Sequence, residues 1–112
     1  MTDELKTLQD GLAASIRTIL QAYDQCTAPE MRAQLIDQAQ TLSSQMSQIE
    51  TTLFHQQTLE DSAVLAAAFA SAKGYTDQID ELNGKLEQVS DIIAIAGKVI
   101  SAVTQIVSVL PA

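Results

Sequence analysis

The sequence predicts an all-α fold: an antiparallel up-down four-helix bundle with a very apolar C-terminal helix. Three observations carry this. Hydrophobic residues make up 46% of the chain, but aromatics only 4% and Trp is absent, so the core must be built from aliphatic side chains and Ala. Gly (4) and Pro (2) are too scarce to supply the turns of a β-sandwich. Apolar residues then recur three and four apart along almost the whole chain, the spacing of one helix face. The 16 Ala and 13 Gln suit helices as well. With 112 residues, 1–112 reads as a single helical-bundle domain with one modest core.

The first helix is expected over residues 3–26. Asp3 and Glu4 sit at the positive end of its dipole, and Leu5, Leu8, Leu12, Ile16, Ile19 or Leu20, and Tyr23 form one stripe. Thr27-Ala28-Pro29-Glu30 reads as a capping box, with Pro29 in a first turn where its missing N–H costs nothing. A second helix, 28–56, carries Met31, Leu35, Ala39, Leu42, Met46, Ile49 and Leu53. Thr58 and Asp61 resemble a weaker cap for a third helix, 59–82, with Leu65, Ala68, Ala72, Tyr75, Ile79 and Leu82 inward. Asn83-Gly84 is a helix-terminating pair, because both residues tolerate the left-handed conformation. The fourth helix, 85–110, presents Leu86, Val89, Ile93, Ala96, Ile100, Val103, Val107 and Leu110, and Pro111 ends it.

An alternative keeps the heptad phase through Gly84 and gives a helical hairpin plus one long helix from about 59 to 110. The break is preferred because it yields four helices of matched length, roughly 36–42 Å each, as a bundle requires.

The fourth helix is the unusual element. Ile92 to Leu110 contains one charged residue, Lys98, and is long enough to cross a bilayer. Beside the core seam runs a second apolar stripe of Ile92, Ile95, Val99, Ala102, Ile106 and Val109, which is either covered by three amphipathic neighbours around a central helix or, as read here, an interaction surface. On the other side Ser90, Ala94, Gly97, Ser101, Thr104 and Ser108 form a row of small residues that would let another backbone approach closely. Only Asp91, Lys98 and Gln105 prefer water. Lys98 and Gln105 mid-span, with no aromatic belt or basic flank, count against a resident membrane helix.

Function classes follow by exclusion. The net charge of −8 disfavours nucleic acid and electrostatic docking to anionic lipid. Cys26 is the only cysteine, so no intrachain disulfide can form, and it reads as a buried thiol. His55 is the single histidine and has no carboxylate three or four residues away, which rules out a di-iron site of the bundle type. Asp77, Asp80, Glu81, Glu87 and Asp91 make the densest acidic group, but they lie outside the apolar stripes and read as a solvated face. No nucleophile–base arrangement, phosphate loop or zinc spacing occurs. No catalytic residue, metal or cofactor is therefore expected. The opening Met1-Thr2-Asp3-Glu4-Leu5-Lys6 lacks a basic stretch followed by an apolar run, so a cytoplasmic location is the default, with signal-independent secretion left open.

In design, amphipathic helices around one very apolar helix, the chain resembles soluble α-helical pore-forming proteins. That resemblance implies an insertion helix hidden until membrane is met. It also looks like small bundle-type immunity and chaperone proteins, although the bacteriocin immunity bundles are usually basic. The function expected from the residues is a non-catalytic interaction or assembly module, a homo-oligomer or the binder of a protein partner, acting through the C-terminal helix. The alternative is the soluble form of a membrane-active protein that inserts residues 92–110.

Overall fold

The computed structural model describes residues 2–54, 63–82 and 89–108. Four helices fill them, and no strand occurs among the described residues: α1 (Thr2–Gln25), α2 (Pro29–Phe54), α3 (Ala63–Glu81) and α4 (Val89–Val107). They pack as a bundle measuring 43 × 21 × 17 Å. Its long axis is close to the ~36 Å of a 24-residue helix, so the helices lie lengthwise. Thr58, Asp61 and Asn83-Gly84, with the expected helix ends around them, lie outside the described residues.

In α1 the buried seam is Leu5, Leu8, Leu12, Ser15, Ile19, Ala22 and Cys26. This is a strict seven-residue repeat, and it corrects the expected stripe. Ile16 and Tyr23 lie half-buried at its edge, and Leu20 is exposed. Ser15 can face inward because its hydroxyl donates to the Gly11 carbonyl at 2.9 Å, one turn back in the same helix.

The α1–α2 corner falls where expected, but by different chemistry. Thr27 is exposed and makes no hydrogen bond among the described residues, so the capping box does not form. Arg32 closes the corner instead. Its Nη1 donates to the carbonyls of Tyr23 and Cys26, each at 2.9 Å, and its guanidinium lies 3.9 Å from the centre of the Tyr23 ring. The last carbonyls of a helix have no partner within it, and a cation there also meets the negative end of the dipole.

In α2, Leu35, Ala39, Leu42 and Ile49 are buried as expected, and Met31 and Met46 are half-buried. Gln45 and Thr52 are buried with them, which the apolar pattern did not anticipate. In α3, Ala68, Ala72 and Ile79 are joined inside by Phe69 and Thr76, while Tyr75 and Leu82 are half-buried.

α1 packs against α2 and α3, α4 packs against α3 and α2, and α1 touches α4 across the middle. Lys98 Nζ lies 5.8 Å from the centre of the Tyr75 ring. In one continuous helix these two positions would be about 34 Å apart. α3 and α4 therefore pack side by side at this point.

Candidate functional site

α4 carries apolar residues over about half its circumference, and all of that arc faces inward. Val89, Ile92, Ala96, Val99, Ala102, Val103 and Ile106 are buried, and Ile93, Ile95, Ile100 and Val107 pack half-buried against the core. Counted at about 100° per residue, the arc from Ala102 through Val99 to Ile93 covers about 180°. The expected core seam and the second apolar stripe are thus two halves of one buried surface.

The residues expected to form an interaction surface are covered within the bundle. Ile92, Val99 and Ile106 are 0% exposed and Ala102 7%, Ile95 is half-buried, and Val109 lies outside the described residues. The physical reason is the number of neighbours. α4 touches α2, α3 and α1, so both stripes are covered within the chain. The small-residue row is also used differently from the expectation. Ser90, Ala94, Gly97, Ser101, Thr104 and Ser108 are exposed, and a Cβ built on Gly97 would meet nothing within 4 Å. Among the described residues α2 reaches this row at Thr104, through the Gln45 amide. The close approach lies between α1 and α3, where a Cβ on Gly11 would come within 2.9 Å of Thr76 Oγ1.

Beside the shared apolar core, the contact between α2 and α4 carries polar bonds. Gln38 Nε2 donates to the Ile93 carbonyl at 2.9 Å. One heptad further on, Gln45 Nε2 donates to Thr104 Oγ1 at 3.0 Å and approaches the Ile100 carbonyl at 3.4 Å. Thr104 Oγ1 donates to that same carbonyl at 2.7 Å. Gln38 thus spends its donor on a backbone carbonyl of α4, and Gln45 shares its donor between the Thr104 hydroxyl and the Ile100 carbonyl. The other end of each amide suffers for it: Gln38 Oε1 and Gln45 Oε1 are buried with no hydrogen-bond partner among the described residues. A sequence reading that sends every Gln outward misses these two. The signal was present, because Gln38, Gln45 and Thr52 are spaced seven apart beside the Leu35, Leu42, Ile49 repeat.

Elsewhere the chemistry is sparse. Asp77, Asp80, Glu81 and Asp91 are exposed, with Asp77 paired to Lys73 at 2.9 Å, and His55 and Glu87 lie outside the described residues. No group of three or more His, Cys, Asp or Glu among the described residues could hold a metal ion. Cys26 is a buried free thiol. A groove of about 440 Å³ between α1 and α3 is lined by Leu8, Ala66, Phe69 and Ala70, with Asp3, Glu4 and Lys73 at its rim. A smaller one of about 190 Å³ lies between Tyr75 and Lys98. Neither brings a nucleophile to a base. What the arrangement can do is sequester apolar helix surface behind a polar contact. No protein-family model, curated protein or solved structure matches the chain.

Proposed function

We propose that the protein is a non-catalytic helical interaction module that self-associates, or binds a protein partner, through α4. Two antiparallel hairpins, α1–α2 and α3–α4, are the arrangement its contacts favour. Gln9 meets Glu50 at 3.1 Å while Arg32 meets Tyr23, which supports opposite senses for α1 and α2, and Tyr75 with Lys98 fits the same sense for α3 and α4. One observation carries the functional reading. The most apolar helix of the chain meets α2 through two glutamine amides set beside the apolar core that the helices share. Association through α4 then means that the bundle opens and offers its apolar arc to a second copy or a partner. The net charge of −8 argues against nucleic acid as that partner.

The second reading, insertion of α4 into a membrane, is favoured by its dimensions. Val89–Val107 is long and apolar enough to cross a bilayer by length and composition, and 39% of that span is buried. Lys98 and Gln105 within it oppose resident insertion.

Mass in solution over a hundredfold concentration range, paired with dye leakage from vesicles, separates the readings. A dimer or higher species with unchanged helix content supports the module. Leakage caused by a chain that is monomeric in solution replaces it with the membrane reading. A monomer at every concentration that ignores vesicles and captures no partner overturns both.

A further inference from the structure

We infer that the bundle opens like a book, with the α1–α3 edge as its spine and the α2–α4 edge as its fore-edge. The inference deepens the reading of α4 as the working element by naming where the fold lets it out.

The argument compares what each edge loses on opening. At α2–α4, the carbonyls of Ile93 and Ile100 lie inside α4, and their intrahelical bonds survive separation. Apolar packing is forfeited at either edge; of the polar groups here, the amide donors of Gln38 and Gln45 must find new acceptors, and water supplies them. At the same moment Gln38 Oε1 and Gln45 Oε1, buried without partners, become hydrated. An unpaired buried acceptor is a standing penalty that opening removes. The Ile100 carbonyl is likewise relieved of one of its side-chain donors. At α1–α3 nothing comparable is gained. Gly11 brings the two helices into direct contact with Thr76, whose hydroxyl already donates to the Lys73 carbonyl at 3.0 Å, so separation there only forfeits packing. Opening at the fore-edge uncovers the α4 arc while the hairpins stay attached at the spine. The edge that gives way is neutral, since its contacts are amide, hydroxyl and carbonyl, so opening there needs no change of charge.

Thiol labelling of the intact protein tests this. Val103→Cys places a thiol on the buried arc of α4, and the native buried Cys26 at the α1–α2 corner is the internal reference; both residues are almost fully covered. Mass spectrometry of the labelled peptides gives the two rates under native conditions. The expected result is labelling at position 103 on the order of tenfold or more faster than at Cys26. Replacing Gln38 and Gln45 together by Met, which keeps their length without the orphan oxygens, should slow position 103 on the order of tenfold and leave Cys26 unchanged. Equal rates at both thiols, moving together in every variant, would mean that α4 is uncovered only by global unfolding, and would overturn the proposal. If Val103→Cys loses helicity, Ala96→Cys on the same buried arc takes its place. The result is independent of the vesicle and mass measurements: labelling can succeed with no partner found, and a partner can be found with the seam closed.

Discussion

At the α1–α3 edge a glycine, Gly11, lets two helices touch, and a Cβ there would meet Thr76 Oγ1 at 2.9 Å. At the α2–α4 edge two long amides, Gln38 and Gln45, fill the space between helices and leave one buried oxygen each without a partner. Both edges join the α1–α2 pair to the α3–α4 pair, and both bury neutral groups. They differ in how much is lost by parting them. Dispersion between closely packed atoms falls away within an ångström of separation, whereas an amide exchanges one acceptor for another in water. A bundle can therefore be firm along one edge and yielding along the other without any difference in its apolar content.

The largest effect should come from testing whether α4 belongs to the core at all. Ile106 is 0% exposed, and Asp in its place would bury a carboxylate with no cation nearby. Such a charge costs more than about 4 kcal/mol, a large share of the roughly 5–15 kcal/mol of a typical domain. Ile106→Asp should abolish cooperative unfolding in urea as fully as Leu12→Asp in α1 does, read by circular dichroism. A helical, cooperative Ile106→Asp protein would show that the closed book spends little time closed, and the comparison of edges would lose its object.

A smaller effect is expected at the hairpin corner. Removing Arg32 strips the carbonyls of Tyr23 and Cys26 of their side-chain donor and the Tyr23 ring of its cation. Arg32→Ala should cost about 2 kcal/mol, since bonds to a charged group contribute roughly 1.5–3 kcal/mol. The urea midpoint measures it. Because this corner lies within one hairpin, the ratio of labelling rates at positions 103 and 26 should change through Cys26 and not through Val103→Cys.

Next comes a pair of glycines that should respond with opposite signs. Ala is favoured over Gly inside a helix by roughly 0.5–1 kcal/mol. At Gly97, where a Cβ meets nothing within 4 Å, Gly97→Ala should raise stability by about that amount. At Gly11 the same methyl pushes Thr76 out of its place, and Gly11→Ala should lower stability by about 1 kcal/mol despite the gain in propensity. Adding Thr76→Ala should restore the Gly11→Ala protein, and the double-mutant cycle of urea midpoints reads the coupling directly. Two stabilised alanine variants would mean that α1 and α3 have room to spare, and the spine would be no tighter than the fore-edge.

The sequence was legible where local spacing decides. Four helices in the right order, the boundary between Gln25 and Pro29, and the inward place of Leu35, Leu42 and Ile49 all follow from a periodicity of three and four. It was less legible where a residue's direction depends on a neighbour. Ser15, Gln45, Thr52 and Thr76 are buried because a carbonyl or hydroxyl lies within reach of each, and Ser15, Thr52 and Thr76 meet theirs in their own helix. Periodicity also identified both apolar stripes of α4 but not how many helices would cover them. Ile92, Val99 and Ile106 fit an interaction stripe or the core face of a central helix wrapped by its neighbours, and spacing alone does not separate the two. A helix touched by three others has a wider face to fill.

The smallest effect concerns acid, and it separates the edges by charge. Glu4 stands in the first turn of α1 at the rim of the α1–α3 groove, with Asp3 beside it and Lys73 across it. A backbone hydrogen bond holds its carboxyl below the ordinary value of 4.5. A carboxylate whose folded value is depressed binds fewer protons folded than unfolded, so it stabilises the fold above the unfolded value, and that contribution fades as pH falls through the folded one. Glu4→Gln should therefore lower the melting temperature slightly at neutral pH, and the gap to the parent protein should close as acid is added below the carboxylate range. The α2–α4 edge, made of amides, hydroxyls and carbonyls, has nothing to titrate there. Labelling of Val103→Cys relative to the fully unfolded chain should accordingly keep its Gln38 and Gln45 dependence through the same pH range. If protonation instead erased that dependence, charge would be reaching the fore-edge, and the division of labour between the two edges would have to be redrawn.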